Sequence, residues 1–150
     1  MDVASEIPLV LYVEDEDDNF TIAALRLRGR FKVLRASTDR EACELVRRRG
    51  RELRAVLMDA QLRGGVLDGF QLARLFTGRP LEGLLPSFAR GVPVLDAPVF
   101  LLTAYGHMLP AGADTSGATA FYPKPVDYSR LILHLQSLSR VVAGGVHAAQ

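Results

Sequence analysis

Five short runs of apolar, strand-forming residues are spaced along the 150-residue chain, with helical patterns between them. The runs cover residues 9–13, 31–36, 55–58, 99–102 and 118–122. Because each run is almost continuously apolar, the strands are expected to be buried on both faces, as in a parallel sheet. Alternation with helices then requires right-handed crossovers and helices on both faces. The sequence therefore predicts a doubly wound α/β fold with a five-stranded parallel sheet.

Helices are predicted wherever apolar residues recur at three- and four-residue spacing. Two such patterns begin at Phe20 and Leu131, and two others follow the capping signal Thr38-Asp39 and Asp68. Two segments break the alternation. Residues 78–97 contain three prolines and are predicted to be an insertion before the fourth strand. Residues 107–117 contain one proline and two glycines, so the helix between strands four and five is expected to be short or irregular.

Composition limits the class of protein. Apolar residues make up 49% and charged residues 23% of the chain, and the net charge is +1. These values predict one globular domain over residues 1–150, with a core at about 7–142 and a tail at 143–150. No apolar run approaches the roughly 20 residues that span a bilayer, so we expect a cytoplasmic protein without membrane contact. The near-neutral charge and the lack of a helix-turn-helix pattern argue against direct nucleic-acid binding.

Polar residues follow four of the predicted strands. They are Glu14 and Asp15 after the first, Asp59 after the third, Thr103 after the fourth and Lys124 after the fifth. Since ligands of such sheets bind at the carboxyl ends of the strands, these side chains are expected to form one site. Clustered carboxylates repel one another unless a cation is present, and all-oxygen ligands suit Mg²⁺.

The same residues predict phosphoryl chemistry. Asp59 would act as a nucleophile toward phosphorus, Mg²⁺ on Asp15 and Asp59 would neutralise negative charge, and Lys124 and Thr103 would hold phosphoryl oxygens. The product would be a labile acyl phosphate. The protein would then catalyse its own phosphorylation and dephosphorylation rather than turn over an external substrate.

Four segments of the chain resemble the signature segments of bacterial two-component response-regulator receiver domains, which are CheY-like. They are LVLYVEDEDDN, AVLMDAQLRGGVLDGF, VFLLTAYG and ATAFYPKPVD, in the usual order. The resemblance covers about residues 7–142. It implies a flavodoxin-like sheet with strand order 2-1-3-4-5, a histidine kinase or phosphotransfer protein as phosphoryl donor, and a downstream protein partner. A homodimer is a further assembly that it allows.

The resemblance also implies a role for individual residues. Asp59 matches the phosphoacceptor, Glu14 and Asp15 the Mg²⁺-binding acidic pair, Thr103 the switch hydroxyl and Lys124 the characteristic lysine, before an expected cis proline. The remaining matches are Gln61, whose backbone carbonyl would be a metal ligand, Phe121 as the aromatic switch, and the side chains of Gln61 and Tyr105 as modulators of dephosphorylation.

The chain departs from the family pattern beside the phosphoacceptor. Arg63 stands where receivers usually have proline, and the span from Asp59 to Asp68-Gly69 is about two residues longer. Gly64-Gly65 is expected to make this loop flexible, and the Arg63 side chain is expected to point to solvent rather than to the site.

Two alternatives remain open at this point. The altered loop and the poor fourth helix would also suit a pseudo-receiver that docks proteins without phosphorylation. A metal-dependent phosphatase with an aspartate nucleophile shares the chemistry, but such enzymes usually carry a second acid two positions after the nucleophile, where this chain has Gln61.

Overall fold

A computed structural model of the chain describes residues 7–104 and 116–148, with side chains up to residue 138. Its five strands are β1 (Leu9–Val13), β2 (Lys32–Ala36), β3 (Leu53–Asp59), β4 (Val99–Thr103) and β5 (Ala120–Pro123). All neighbouring strands pair in parallel, and their order in the sheet is β2-β1-β3-β4-β5. The predicted doubly wound sheet with order 2-1-3-4-5 is therefore confirmed.

Four α-helices cover the sheet in the described residues: α1 (Asp17–Leu27), α2 (Asp39–Arg49), α3 (Gly69–Phe76) and α4 (Tyr128–Ala148). Alternate residues of β1 belong to two hydrophobic clusters because successive strand side chains point to opposite faces. Leu11 packs in a cluster with Val46 of α2 and Phe76 of α3, whereas Val10 packs with residues of α1 and α4. The helices therefore lie on both faces of the sheet.

Local polar contacts determine where α2 and α3 begin. Thr38 Oγ1 accepts a hydrogen bond from Glu41 N at 3.1 Å. Asp68 and Gln71 form a reciprocal capping box at the start of α3. In α1 the buried residues are Ala23 and Leu27, whereas Phe20, where the predicted apolar pattern begins, is only half-buried.

The strand ends differ slightly from the apolar runs. β3 begins at Leu53, two residues earlier than expected, and continues through the half-buried Arg54. β5 begins at Ala120 rather than Ala118, since the amide of Ala118 is engaged by Ser116 Oγ at 3.2 Å. These shifts do not move the residues that follow the strands.

The segment between α3 and β4 is an insertion, as predicted, and its single turn of 3₁₀ helix spans Ser87–Ala89. It is fastened to α2 by two arginines. Arg47 Nη2 donates to Arg90 O at 2.7 Å, and the Arg40 guanidinium lies 4.9 Å from the centre of the Phe88 ring. Arg47 therefore holds the insertion in place.

Two expectations concern the C-terminal third. The helix expected between β4 and β5 falls on residues 105–115, which lie outside the described residues. α4 continues to Ala148, so the backbone remains helical within most of the segment expected to be a tail.

Cys43 is fully buried, and burial raises the pKa of its thiol to about 11, so it packs as a small core residue. Among the described residues, no helix combines the length and the apolar character that crossing a membrane requires.

Candidate functional site

The site lies at the edge where the parallel strands end. Backbone hydrogen bonds continue the sheet ladder one residue beyond three strands: Glu14 N donates to Ala36 O, Ala60 N to Leu102 O, and Lys124 N to Thr103 O, at 2.8–2.9 Å. Because the ladder fixes these backbone positions, the side chains next to them are placed by the sheet itself. The convergence that the sequence predicted follows from this geometry.

Three carboxylates meet at this edge. One oxygen each from Glu14, Asp15 and Asp59 lie within 4.8 Å of one another. Glu14 is fully buried and Asp59 is 3% exposed, whereas the side chain of Asp15 is 20% exposed. The three predicted acids therefore form one cluster that opens to solvent at Asp15.

Lys124 supplies a positive charge inside the cluster. Its Nζ lies 3.0 Å from Asp59 Oδ1 and 3.4 Å from Glu14 Oε1. The bond from Lys124 to Pro125 is cis, as the sequence resemblance implied. Lys124 is thus shared by the two most buried acids.

Burial and charge oppose each other at these groups. Burial, followed by the neighbouring Glu14 carboxylate, raises the pKa of Asp59 to about 6, although Lys124 acts in the opposite direction. Burial alone would lower the pKa of Lys124, but the carboxylates of Asp59 and Glu14 outweigh it and raise that pKa. The cluster therefore holds more negative charge than its lysine balances.

Tyr12 is a site residue that the sequence analysis missed. Its hydroxyl donates to Glu14 Oε1 at 3.0 Å, and burial and Glu14 both raise the pKa of the phenol. Tyr12 and Glu14 are two residues apart on an extended chain and so share a face. That spacing was the available signal, since a buried tyrosine hydroxyl needs a partner.

Gln61 connects the end of β3 with the end of β4. Its backbone N–H donates to Asp59 Oδ1 at 3.0 Å. Its side-chain amide donates to Thr103 Oγ1 at 3.1 Å and accepts from Ala104 N at 3.1 Å. Both ends of the amide are therefore engaged at the buried Thr103 and the residue after it.

The two remaining predicted residues lie apart from the cluster or outside the described residues. Phe121 is on β5, opposite Leu101 of β4. Its side chain is partly buried against the hydrophobic cluster that includes residues of α2 and α3. Tyr105 falls outside the described residues.

The loop between β3 and α3, residues 60–68, is attached more firmly than its glycines predicted. Val66 N and Leu67 N both donate to Asp39 Oδ2, at 2.8 and 2.9 Å. Asp39 is buried, with only 4% of its surface exposed. Leu62 and Leu67 are buried as well. The expectation of a flexible loop is therefore corrected for Val66 and Leu67, because a distant buried carboxylate binds their backbone.

Arg63 points to solvent, as expected, but it also reaches the rim of the site. The side chain is 72% exposed, yet its Nη2 lies 3.1 Å from Glu16 Oε2 and its Nε lies 3.7 Å from Asp15 Oδ2. The extra loop length lets the guanidinium reach back to the segment after β1. Arg63 therefore contacts both solvent and the rim of the acidic cluster.

Close packing against the end of β3 requires a glycine at position 69. A Cβ at this position would lie 2.0 Å from Asp59 O and 2.7 Å from Ala60 Cα. Only glycine lets the start of α3 approach the backbone of the central acid this closely.

The cluster suits a hard divalent cation. Its three groups offer carboxylate oxygens, and one of them is accessible from solvent. Mg²⁺ prefers oxygen ligands, keeps several waters and needs only one or two carboxylates. The residues present therefore fit such a metal.

No protein-family model and no curated protein sequence matches the chain. Solved structures do match it. The receiver domain of a Francisella response regulator has a TM-score of 0.68 at 17% identity, over 90% of this chain and 98% of its own. The signal receiver domain of a LuxO repressor protein from Vibrio parahaemolyticus reaches 0.73 at 18% identity, over 97% and 99%.

A third similar structure is the receiver domain of a sensor histidine kinase from Pseudomonas aeruginosa. It is 25% identical and has a TM-score of 0.66, over 89% of this chain and 98% of its own, and a magnesium ion is coordinated in its active-site cleft. These similarities agree with the strand order and with the acidic cluster at the carboxyl edge of the sheet. The chain therefore has the fold of a CheY-like response-regulator receiver domain.

Proposed function

We propose that the chain is a phosphorylatable receiver that accepts a phosphoryl group on Asp59 from a histidine kinase or phosphotransfer protein. The observation that carries the proposal is the contact of Lys124 Nζ with Asp59 Oδ1 at 3.0 Å inside a group of three carboxylates. A capping carboxylate would not need a half-buried lysine and two further acids around it. The described residues form a single sheet, which supports one receiver domain.

The proposed reaction is a transfer between two nucleophiles. An oxygen of Asp59 forms a bond to phosphorus while the P–N bond of the donor's phosphohistidine breaks, and the electron pair returns to the imidazole nitrogen. The product is an acyl phosphate on Asp59. Lys124 already contacts the reacting carboxylate and would balance charge on the phosphoryl oxygens.

Asp15 and Asp59, with Glu14 beside them and the backbone carbonyl of Gln61, would hold Mg²⁺. The metal would supply positive charge that neutralises the phosphoryl group. The accessible carboxylate of Asp15 and the all-oxygen donor set support this assignment.

Thr103 and Phe121 are proposed to transmit the change to a downstream partner. In this structure Thr103 Oγ1 accepts from the Gln61 amide, so the hydroxyl lies at the same edge as Asp59. Movement of Thr103 toward a phosphoryl oxygen would break that contact, and the Phe121 ring would turn inward in response. The pairing of β4 with β5, which carry Thr103 and Phe121, supports this coupling.

Slow to moderate loss of the phosphoryl group by attack of water is proposed, with Gln61 and Tyr105 as modulators. Neither an amide nor a phenol is a strong base at neutral pH. The two hydrogen bonds of the Gln61 side chain support a restrained rather than a freely mobile amide beside Asp59.

Intact-mass measurement after incubation with Mg²⁺ and a small acyl-phosphate donor tests the proposal. The wild-type chain should gain one phosphoryl group, and Asp59→Asn should gain none. Asp96→Asn is a matched control because Asp96 is an exposed acid near the end of the insertion. A wild type that stays unmodified, or a phosphoryl group that persists in Asp59→Asn, would refute the proposal.

A pseudo-receiver that docks proteins without phosphorylation is the second candidate, and one observation favours it. Arg63 already pairs with Glu16 and Asp15, so a protein cation lies at the rim where a metal would enter. This candidate predicts that Mg²⁺ is not bound, or is bound without effect on partner binding. A Mg²⁺ titration followed by the phosphorylation assay separates the two candidates.

A further inference from the structure

Arg63 forms a bridge across the mouth of the acidic cluster. It extends from the loop after β3 to the segment after β1, where it lies 3.1 Å from Glu16 Oε2 and 3.7 Å from Asp15 Oδ2. Lys124 partly balances the charge on the buried side of the cluster, where it contacts Glu14 and Asp59. Lys124 therefore contacts the two buried acids of the cluster, and Arg63 contacts the accessible acid, Asp15.

The loop restricts where Arg63 can go. On one side the chain is held by the buried Leu62, and on the other by the hydrogen bonds from Val66 and Leu67 to Asp39. A Cβ at Gly65 would lie 2.6 Å from the Asp39 carboxylate, so the backbone packs directly on that group. Gly64, with a φ of +83°, makes the turn between the two attachments. Arg63 is thereby presented toward Asp15 by a closed, anchored loop.

We propose that Arg63 is a built-in counter-cation that competes with Mg²⁺ for Asp15 and weakens metal binding at this site. The inference rests on the proposed function, in which Asp15 is a metal ligand. A guanidinium on the Asp15 carboxylate lowers the negative charge available to a dication and repels it at short range. The geometry also requires the Asp15 contact to lengthen or be shared when a metal binds.

The expected effect is moderate because Arg63 is largely exposed and solvent screens its charge. A unit charge about 6 Å from a dication in water changes the binding constant by roughly three- to tenfold. Since such an interaction is screened by salt, the effect should shrink when the ionic strength is raised to about 0.5 M. Both features distinguish a charge effect from a change in loop structure.

Isothermal titration calorimetry of the full chain with MgCl₂ tests the proposal without any phosphoryl donor. Arg63→Gln removes the charge and keeps much of the side-chain length, and it should lower the Kd for Mg²⁺ by roughly three- to tenfold at low salt. Arg63→Lys keeps the charge and should stay within about twofold of wild type. Raising the salt should reduce the difference between Arg63→Gln and wild type.

Arg48→Gln is the matched control. It removes one positive charge from an exposed arginine in the last turn of α2. This position is near the start of β3, at the end of the strands opposite to the acidic cluster. Its Kd should equal that of wild type. An equal gain in Arg48→Gln, or an Arg63→Gln protein that binds Mg²⁺ no tighter than wild type, would overturn the role of Arg63.

The same titration distinguishes a failure of the role proposed for Arg63 from a failure of the proposed receiver function. Binding to wild type with an unchanged Kd in Arg63→Gln refutes Arg63 as a competitor and leaves the proposed receiver function in place. Binding to Arg63→Gln alone is the extreme form of the expected result. Absence of binding to every variant overturns the proposed function and this inference together.

Discussion

Two loops lie at the same edge of the sheet, but the sequence predicts the position of a key side chain in only one of them. The loop after β5 carries Lys124, whose backbone N–H bonds to Thr103 O at the end of the neighbouring strand. The loop after β3 carries Arg63, and its course depends on Asp39, which is 27 residues from Val66 in the chain. A residue next to a strand end is positioned by the sheet, whereas a longer loop follows whatever distant group satisfies its backbone.

The sharpest test of this comparison uses two glycines of the same loop region. Gly69→Ala should lower the free energy of unfolding by about 3 kcal/mol, because its Cβ would collide with Asp59 O and neither backbone can retreat. Gly64→Ala should cost only about 1 kcal/mol, since the position is open and only its positive φ opposes a side chain. Urea denaturation of both variants measures the difference. Equal losses of unfolding free energy in the two variants would show that the close approach of Gly69 to the end of β3 adds no cost of its own.

The second prediction concerns the anchor. Asp39→Ala leaves the N–H groups of Val66 and Leu67 without their acceptor and should cost about 2 kcal/mol. Asp96→Ala removes an exposed acid and should change stability by less than about 0.5 kcal/mol. Amide exchange at Val66 and Leu67 should accelerate in the first variant only. Unchanged exchange there would mean that the loop is held by its buried leucines instead.

The contrast also indicates how much the sequence could reveal. The parallel sheet and the convergence of Asp59 with Lys124 followed from the apolar runs and from the residues that end them, because parallel strands bring their carboxyl ends together. The strand order followed from the resemblance to receiver domains. The role of Asp39 had no comparable signal, since an acid in the first turn of a helix is ordinarily explained by the helix dipole. The pairing of Arg63 with Glu16 and Asp15 had no signal for the same reason, because the course of the anchored loop is defined only in the folded chain.

The charge imbalance of the cluster predicts a pH-dependent stability in the absence of metal. Burial and Glu14 raise the pKa of Asp59 to about 6, above its ordinary value of 3.8. A carboxyl with a raised pKa favours the fold while protonated, so that contribution is complete below about pH 4 and is lost as the pH rises through about 6. Asp59→Asn should therefore be more stable than wild type in EDTA at pH 7.5, by about 1–3 kcal/mol.

The advantage of Asp59→Asn should shrink toward pH 5, where the wild-type carboxyl takes up its proton. Thermal unfolding across pH 5–8 measures it, with Asp96→Asn as a control that should show no such trend. An advantage that grows as the pH falls would contradict the raised pKa of Asp59.

The smallest expected effect lies where Gln61 joins the loop after β3 to the end of β4. Gln61→Met keeps the length of the side chain but removes the acceptor for Ala104 N and the donor to Thr103 Oγ1. One such hydrogen bond contributes about 1 kcal/mol, so exchange of the Ala104 amide should accelerate roughly fivefold while global stability changes little. Gln71→Met makes the same substitution in the capping box of α3 and should leave Ala104 unaffected. If both variants exchange at the wild-type rate, the Gln61 amide does not restrain this strand end.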